Sequence, residues 1–409
     1  MKKAIPALVV LLLALLACGA PARTEAPDPH VTAPPTADPR LWYRVRGEAK
    51  SDQAWGVDTD SAGNIYTAGY YQSPASALFY DMVIYKFAPD GSELWRTQWG
   101  GDLEEKAFVV WVEEPVVYVG GTQHTSTAFE EADMAVLALD MATGDLLWSF
   151  TWGQGFGYEE VDGLVAEGDF LYVSGWTTGE TSSGDIAVLK LNRSDGSLVW
   201  ARTWGSDGFD SADGQLSLLG DAIYVSGRYA GQNMLFGGQA LLVAFDQTSG
   251  DYLRHTLWGS TFFSDGLGST TDRTSIYVTG LSIENANGQI FLLKYDRELN
   301  LLWAQLWGGT GSESARVAEL DPDGNILVAG NTFSYGAGKS DVVLLSFRPQ
   351  DGSLNWYRTW GGPQNDACQG LALFGDFAYI VGSTENASQG MNDALLLTAD
   401  WRSGILPQP

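Results

Sequence analysis

The residues of this chain whose type and spacing could do chemistry are carboxylates. Asp52, Glu105, Asp210, Glu313 and Asp366 each stand five residues after a glycine that closes a recurring motif, and Asp265, with Glu159 or Glu160, lies slightly displaced in two further copies. Gathered around one axis, Asp52, Glu105, Asp210, Asp265, Glu313 and Asp366 would make a ring of hard oxygen donors suited to Ca²⁺ or a similar cation. The plainer role, which we favour, is to accept backbone hydrogen bonds from the adjoining loop and so lock one structural unit to the next.

Other reactive groups are sparse. His30, His124 and His255 are the three histidines, none near another in sequence, and no HExxH, G-x-S-x-G or metal-spaced Cys/His pattern occurs. His124 falls in an expected loop and His255 in an expected strand. "DPDGN" (321–325) and "DTDSAGN" (58–64) begin like calcium loops. Neither continues to the distant glutamate such a loop needs, so both should be turns. Cys368, in "DACQGLALF", has no nearby base and reads as a small core residue. No catalytic residue and no cofactor is expected, calcium at the acidic ring aside.

Four segments vary in length and carry aromatics: "YYQSPASALFYD", "TQHTSTAFEEAD", "RYAGQNMLFGGQ" and "NTFSYGAGKSD". As loops on a rigid scaffold they are where a partner would bind. The candidates are Tyr70, Tyr71, Phe79, Phe129, Tyr229, Phe236, Phe333 and Tyr335. Folding back onto the strands is an equal alternative for these rings.

The elements that must position these residues are repeats. Motifs such as "GDLLWSFTWG" close at Gly100, Gly153, Gly205, Gly259, Gly308 and Gly361, in steps of 49 to 54 residues. A second series, "IYTAG" through "AYIVG", ends at Gly69, Gly121, Gly175, Gly227, Gly280, Gly330 and Gly382, and a third runs from "DMVIYKF" to "DALLLTA". Each unit reads as four short strands with no helical period between them, the signature of a β-propeller. The expected fold is all-β: seven four-stranded antiparallel blades. The tryptophan pair shares one face of the fourth strand and should fill the wedge between neighbouring blades. "LWYRVRG" (41–47) supplies the missing seventh copy, with Trp42 in the first tryptophan's place and Arg46 in the second's. The last repeat lacks a fourth strand, so Leu41 to Arg46 should pair with the third strand near Asp393 to Ala399 and close the ring.

Residues 323–362, "DGNILVAGNTFSYGAGKSDVVLLSFRPQDGSLNWYRTWGG", resemble the bacterial SBBP repeat of seven-bladed propellers, with Gln239 and Gln289 departing from its aspartate. That resemblance implies a fold and an exported context and brings no catalytic residues. "ALDMATGDLLW" (138–148) is similar to the docking motif of quinoprotein dehydrogenases and of non-catalytic lipoproteins of outer-membrane barrel assembly. In those proteins the motif is structural. The neighbouring-cysteine pair that often accompanies the quinone site cannot form from Cys368 alone.

Lys2 and Lys3, an apolar run from Ile5 to Ala17, and "LLAC" at 15–18 resemble a lipoprotein signal, with Cys18 the lipid-modified residue. The expected organisation is a signal peptide over 1–17, a lipidated cysteine and proline-rich tether over 18–40, and the propeller over 41–409. Removing Lys2 and Lys3 lowers lysine plus arginine from 23 to 21 against 50 acids, a charge of −29. That argues against nucleic acid and anionic headgroups. The expectation is a monomeric, non-catalytic binding or scaffolding module of the bacterial cell envelope, at the outer membrane or cell surface. It would touch the membrane through its lipid alone, with an envelope protein or a glycan as partner. A quinone-dependent or glycan-active propeller enzyme is the alternative.

Overall fold

Seven four-stranded antiparallel sheets follow one another along the chain in a computed structural model that describes residues 22–23, 40–47, 51–71, 79–127, 131–154, 157–178, 184–231, 237–259, 262–284, 287–386 and 392–407. Blades 1 to 6 span 52–99, 105–152, 159–204, 216–258, 263–307 and 313–360, and blade 7 spans 366–400 plus Tyr43–Arg46. First strands of neighbouring blades touch all the way round the ring, so they form its inner wall. Fourth strands lie outermost and leave apolar side chains such as Leu94, Leu147 and Leu302 exposed. Ala22–Arg23 pairs in parallel with the outer edge of blade 5. No helix occurs among the described residues.

The tryptophan pair has two separate functions. The first tryptophan reaches forward onto the turn before the next blade's fourth strand. Trp95, Trp148, Trp200 and Trp303 donate Nε1–H to the carbonyls of Met141, Arg193, Thr248 and Pro349 at 3.0–3.2 Å. Each lies flat against a glycine of that turn, Gly144, Gly196, Gly250 or Gly352, where a Cβ would stand within 3 Å of the indole. These glycines have φ between 70° and 78°, which tight turns demand and L side chains rarely adopt. The second tryptophan sits in the wedge. Trp307 packs on Tyr335 and Tyr357, and Trp360 on Tyr43, with centroids 5.1–5.3 Å apart.

The repeated glycine within each second strand has a different cause. At all seven copies a Cβ would fall 1.8–2.1 Å from a carbonyl oxygen at the start of the same blade's inner segment, that of Gln53, Lys106, Glu160, Ser211, Asp265, Ser314 or Ala367. Nothing larger fits.

The ring closes as the sequence implies. Tyr43–Arg46 runs antiparallel to Ala394–Leu397. Trp42 donates its amide to Thr398 Oγ1 at 2.8 Å, and its indole N–H to Pro89 O of blade 1 at 3.2 Å. One strand therefore completes blade 7 and docks on blade 1.

Candidate functional site

On the inner wall, the second and fourth residues of most first strands are half-buried while their neighbours are buried. Alternation on a strand explains this: one set packs between blades and the other faces the axis. Opposite seven inner-wall residues, the second of their strand in five of the blades, stands the residue just past the repeated second-strand glycine. The pairs are Gln53–Tyr70, Lys106–Thr122, Glu160–Trp176, Ser211–Arg228, Asp265–Leu281, Ser314–Asn331 and Ala367–Ser383. Blades 1 to 5 thus present large or charged side chains at one mouth of the channel, while blades 6 and 7 present small polar ones.

The large side form a continuous arc. Tyr70 meets Tyr80 edge-on at 5.0 Å, and Lys106 Nζ lies 5.2–5.3 Å from both rings. Lys106 pairs with Glu104 at 2.7 Å, and Glu104 lies 3.5 Å from His124, whose ring abuts Tyr158. Tyr158 stacks on Trp176 at 5.1 Å, Trp176 touches Phe209 at 5.2 Å, and Arg228 covers Phe209 and Phe263 at 5.3 and 5.6 Å. Aromatic faces interleaved with cations suit flat, polar or anionic partners.

Carboxylates lie just inside this arc. Glu160 accepts the Tyr158 hydroxyl at 2.8 Å. Glu160 and Asp162 are within hydrogen-bonding reach of each other, as are Asp213 and Asp265. Burial pushes Glu160 up to about 7, against the pull of the Tyr158 and Asp162 hydrogen bonds. Burial, then the charges of Glu160 and Asp213, hold Asp162 well above the carboxylate range; burial and Asp213 do the same for Asp265. A carboxyl whose protonated form is favoured in this way can donate a hydrogen bond as well as accept one. Farther along the wall, burial raises Asp58 to about 7 and Glu319 to about 8, the latter helped by Asp58.

The candidates from sequence are dispersed. Most of the repeated acids fasten their own loops. Glu105 accepts Gly101 N at 3.0 Å, Glu313 accepts Gly309 N at 3.1 Å, and Asp366 accepts Gly362 N at 2.8 Å. Asp210 accepts Ser206 N, and Ala230 N at 2.8 Å. Asp52 is buried, its amide bonded to Asn392 O. In blade 5 a serine, Ser264, takes the fastening position, which frees Asp265 to join the channel acids. Among the described residues no three His, Cys, Asp or Glu side chains are grouped so as to hold a metal ion. Asp60 and Asp321 bind Asn64 and Asn325 across tight turns.

Of the aromatics, Tyr70 joins the arc and Tyr71 lies under Arg96. Tyr229 and Tyr335 fold back against Trp204 and Trp307. Phe79 is half-buried and Phe333 is 58% exposed. Phe129, Phe236, Cys18 and His30 lie outside the described residues. His124 ends a strand rather than occupying a loop, because Val116–His124 pairs along its whole length with Ala132–Asp140. Cys368 is wholly buried, and burial pushes its thiol up to about 12. Trp176, Arg228, Asp162 and Asp213 went unnoticed in the sequence. The column just past the second-strand glycine would have revealed the first two.

Four-stranded blades joined by an indole docked on a turn glycine define a propeller of the quinoprotein-like type. The family described as outer membrane protein assembly factor BamB matches residues 132–377, more than half of the chain, and the protein belongs to that family. No curated protein matches the sequence. Solved structures share the fold at low identity. The WD40 β-propeller domain of Doa1 is 11% identical over 89% of this chain and 98% of its own, with a TM-score of 0.54. The Neurospora crassa Pan2 WD40 domain is 9% identical over 88% and 92%, with a TM-score of 0.54. The quinohemoprotein alcohol dehydrogenase from Comamonas testosteroni is 9% identical over 90% and 77%, with a TM-score of 0.51.

Proposed function

We propose that this protein is a non-catalytic binding or scaffolding propeller of the bacterial cell envelope, held by a lipid on Cys18, with the channel mouth of blades 1 to 5 as its working surface. The observation that carries this is the one-sided arc from Tyr70 to Phe263, set on an otherwise repetitive ring. Membership of a family described as an assembly factor of the outer membrane supports the location and the scaffolding role. The resemblance of residues 323–362 to the SBBP repeat supports an exported context. An envelope protein or a glycan is the class of partner. A photo-crosslinking residue at position 176 of the full-length protein in native envelopes should give a discrete adduct, and one at position 383 should not. Equal adducts from both positions, or none, would overturn the proposal. Equal incorporation of a fatty-acid analogue into wild type and Cys18→Ala would remove the lipid anchor.

The closely spaced carboxyls of Glu160 and Asp162, both raised by burial, favour a second reading, a hydrolase or lyase acting on a glycan at the same mouth. Turnover of an envelope polysaccharide that disappears in Glu160→Gln would establish it. Retained adducts at position 176 with no turnover would leave the binding role alone.

A further inference from the structure

Seven copies of one unit allow each position to be compared with six internal counterparts, and the departures from the pattern collect at one place. In the wedges after blades 1 to 6 the incoming residue is the second tryptophan: Trp99, Trp152, Trp204, Trp258, Trp307 and Trp360. In the wedge between blades 7 and 1 it is Arg46. The third-strand position that receives it is buried and aliphatic elsewhere, at Leu137, Leu189, Val243, Leu293, Leu345 and Leu397. In blade 1 it is Tyr85, only half-buried. The residue following the first tryptophan is small or aromatic in most blades, and in blade 1 it is Arg96. These three exceptions surround a cavity of about 350 Å³ that also reaches Tyr71, Gln53 and Thr67.

The two guanidiniums converge on one ring. Arg46 Cζ lies 5.4 Å and Arg96 Cζ 5.5 Å from the centroid of Tyr85, and Arg96 also covers Tyr71 at 4.7 Å. Arg46 has a partly exposed ion pair with Glu93 at 3.0 Å, a contact of little net strength in water. Among the described residues the Arg96 guanidinium makes no hydrogen bond or ion pair, and the Tyr85 hydroxyl has no partner. Arg44 also borders the cavity, but its guanidinium is engaged with Tyr43 O and Asp90 O, the pose Arg202 and Arg358 take in their own blades. It is part of the scaffold. Among the described residues of the wall the one carboxylate, Asp52, is 4% exposed. In a chain of formal charge −27, this cleft carries net positive charge.

We propose that the seam between blades 7 and 1 is a binding site for a small ligand carrying a carboxylate or phosphate beside a flat apolar body. Planar guanidiniums from two blades grip the anion from either side. The Tyr85 hydroxyl adds a donor, and the aromatic floor takes the body of the ligand. Because Arg46 belongs to the closing strand while Tyr85 and Arg96 belong to blade 1, the occupied site fastens the seam. Binding therefore raises the stability of the closed ring.

The test uses the full-length protein with phenyl phosphate, benzoate and inorganic phosphate as separate probes, at ionic strength held constant with sodium chloride. Melting temperature should rise saturably with phenyl phosphate or benzoate, and by less with inorganic phosphate; the stronger of the two organic probes identifies the anion. Arg46→Trp restores the repeat's own residue, so it should fold with a melting temperature at or above wild type and lose the response. Arg96→Gln should weaken binding at least tenfold by titration calorimetry with its unliganded melting temperature unchanged. No saturable rise with any probe, or a rise that persists in Arg46→Trp, would overturn the proposal.

Discussion

The outer and inner walls of this ring follow opposite rules. On the outer wall the same contact is made over and over: an indole on a turn glycine, its N–H on a carbonyl of the next blade. On the inner wall no two blades present the same pair, from Glu160–Trp176 to Ala367–Ser383. Packing identical sheets side by side has one good solution, so it repeats. Recognising a partner requires unlike groups, so those positions diverge. One outer dock breaks the rule and shows why it exists. Between blades 4 and 5, Arg254 replaces the tryptophan and reaches Arg297 O at 3.4 Å, and the glycine's place is taken by Leu299, whose φ is 66°. With no indole pressing on the turn, a side chain fits there, and Leu299 is buried at 6% exposure.

The strongest challenge to the outer wall is removal of its closing piece. Deleting residues 41–46 removes the Ala394–Leu397 pairing and the Trp42 dock, and leaves an apolar sheet edge open. That variant should melt well below the parent and aggregate on heating, as followed by light scattering. Next in size, Trp200→Ala should cost about 3–5 kcal/mol in urea unfolding, because a buried indole leaves both a void and an unbonded carbonyl. Arg254→Ala, at the exceptional dock, should cost under about 1 kcal/mol. Joining Arg254→Trp with Leu299→Gly should be more stable than the two single changes predict by about 0.5–3 kcal/mol, the coupling expected of residues in contact.

The inner wall makes a smaller, pH-dependent prediction. Asp58 and Glu160, raised to about 7, and Glu319, raised to about 8, are protonated in the folded chain at pH values where the unfolded chain has ionised them. Unfolding then releases protons, so stability falls as pH rises from the ordinary carboxylate range through 7 to 8. Calorimetry should give a lower melting temperature at about pH 8.5 than at about pH 5.5, and Glu319→Gln should flatten the slope. Least of all, Trp176→Ala should change stability by no more than about 0.5 kcal/mol, since its ring is half-exposed at the channel. A cost for Trp176→Ala like that of Trp200→Ala would make the arc a packing device.

Legibility in the sequence followed the same division. Seven blades, strand order and closure by Leu41 to Arg46 could all be read in advance, because packing stamps the same residue at the same step. The acids five residues after five of the motif glycines were visible for that reason, and most proved to hold loops, as Glu105 and Asp366 do. Trp176 and Arg228 were hidden within their own repeats, because each occurs once and differs from its counterparts only when the column is compared across blades. Tyr229 and Tyr335 looked as exposed as Phe333, but each found a wedge indole to lie against. Which loop ring has such a neighbour depends on blade-to-blade geometry that no single repeat contains.

The Trp42 dock also bears on how quickly the ring can form. Pairing of Trp42 with Thr398 joins residues 356 apart, a search that would be slow for a loose terminal strand. The indole bond to Pro89 spans only 47 residues, no more than the other docks, which span 45 to 48. A chain emerging N-terminus first can therefore park its leading strand on blade 1 as soon as that blade exists. Each later blade assembles against its predecessor over one repeat of sequence. Blade 7 arrives last and meets an edge already held in register, so a contact across 356 residues forms as one more nearest-neighbour step.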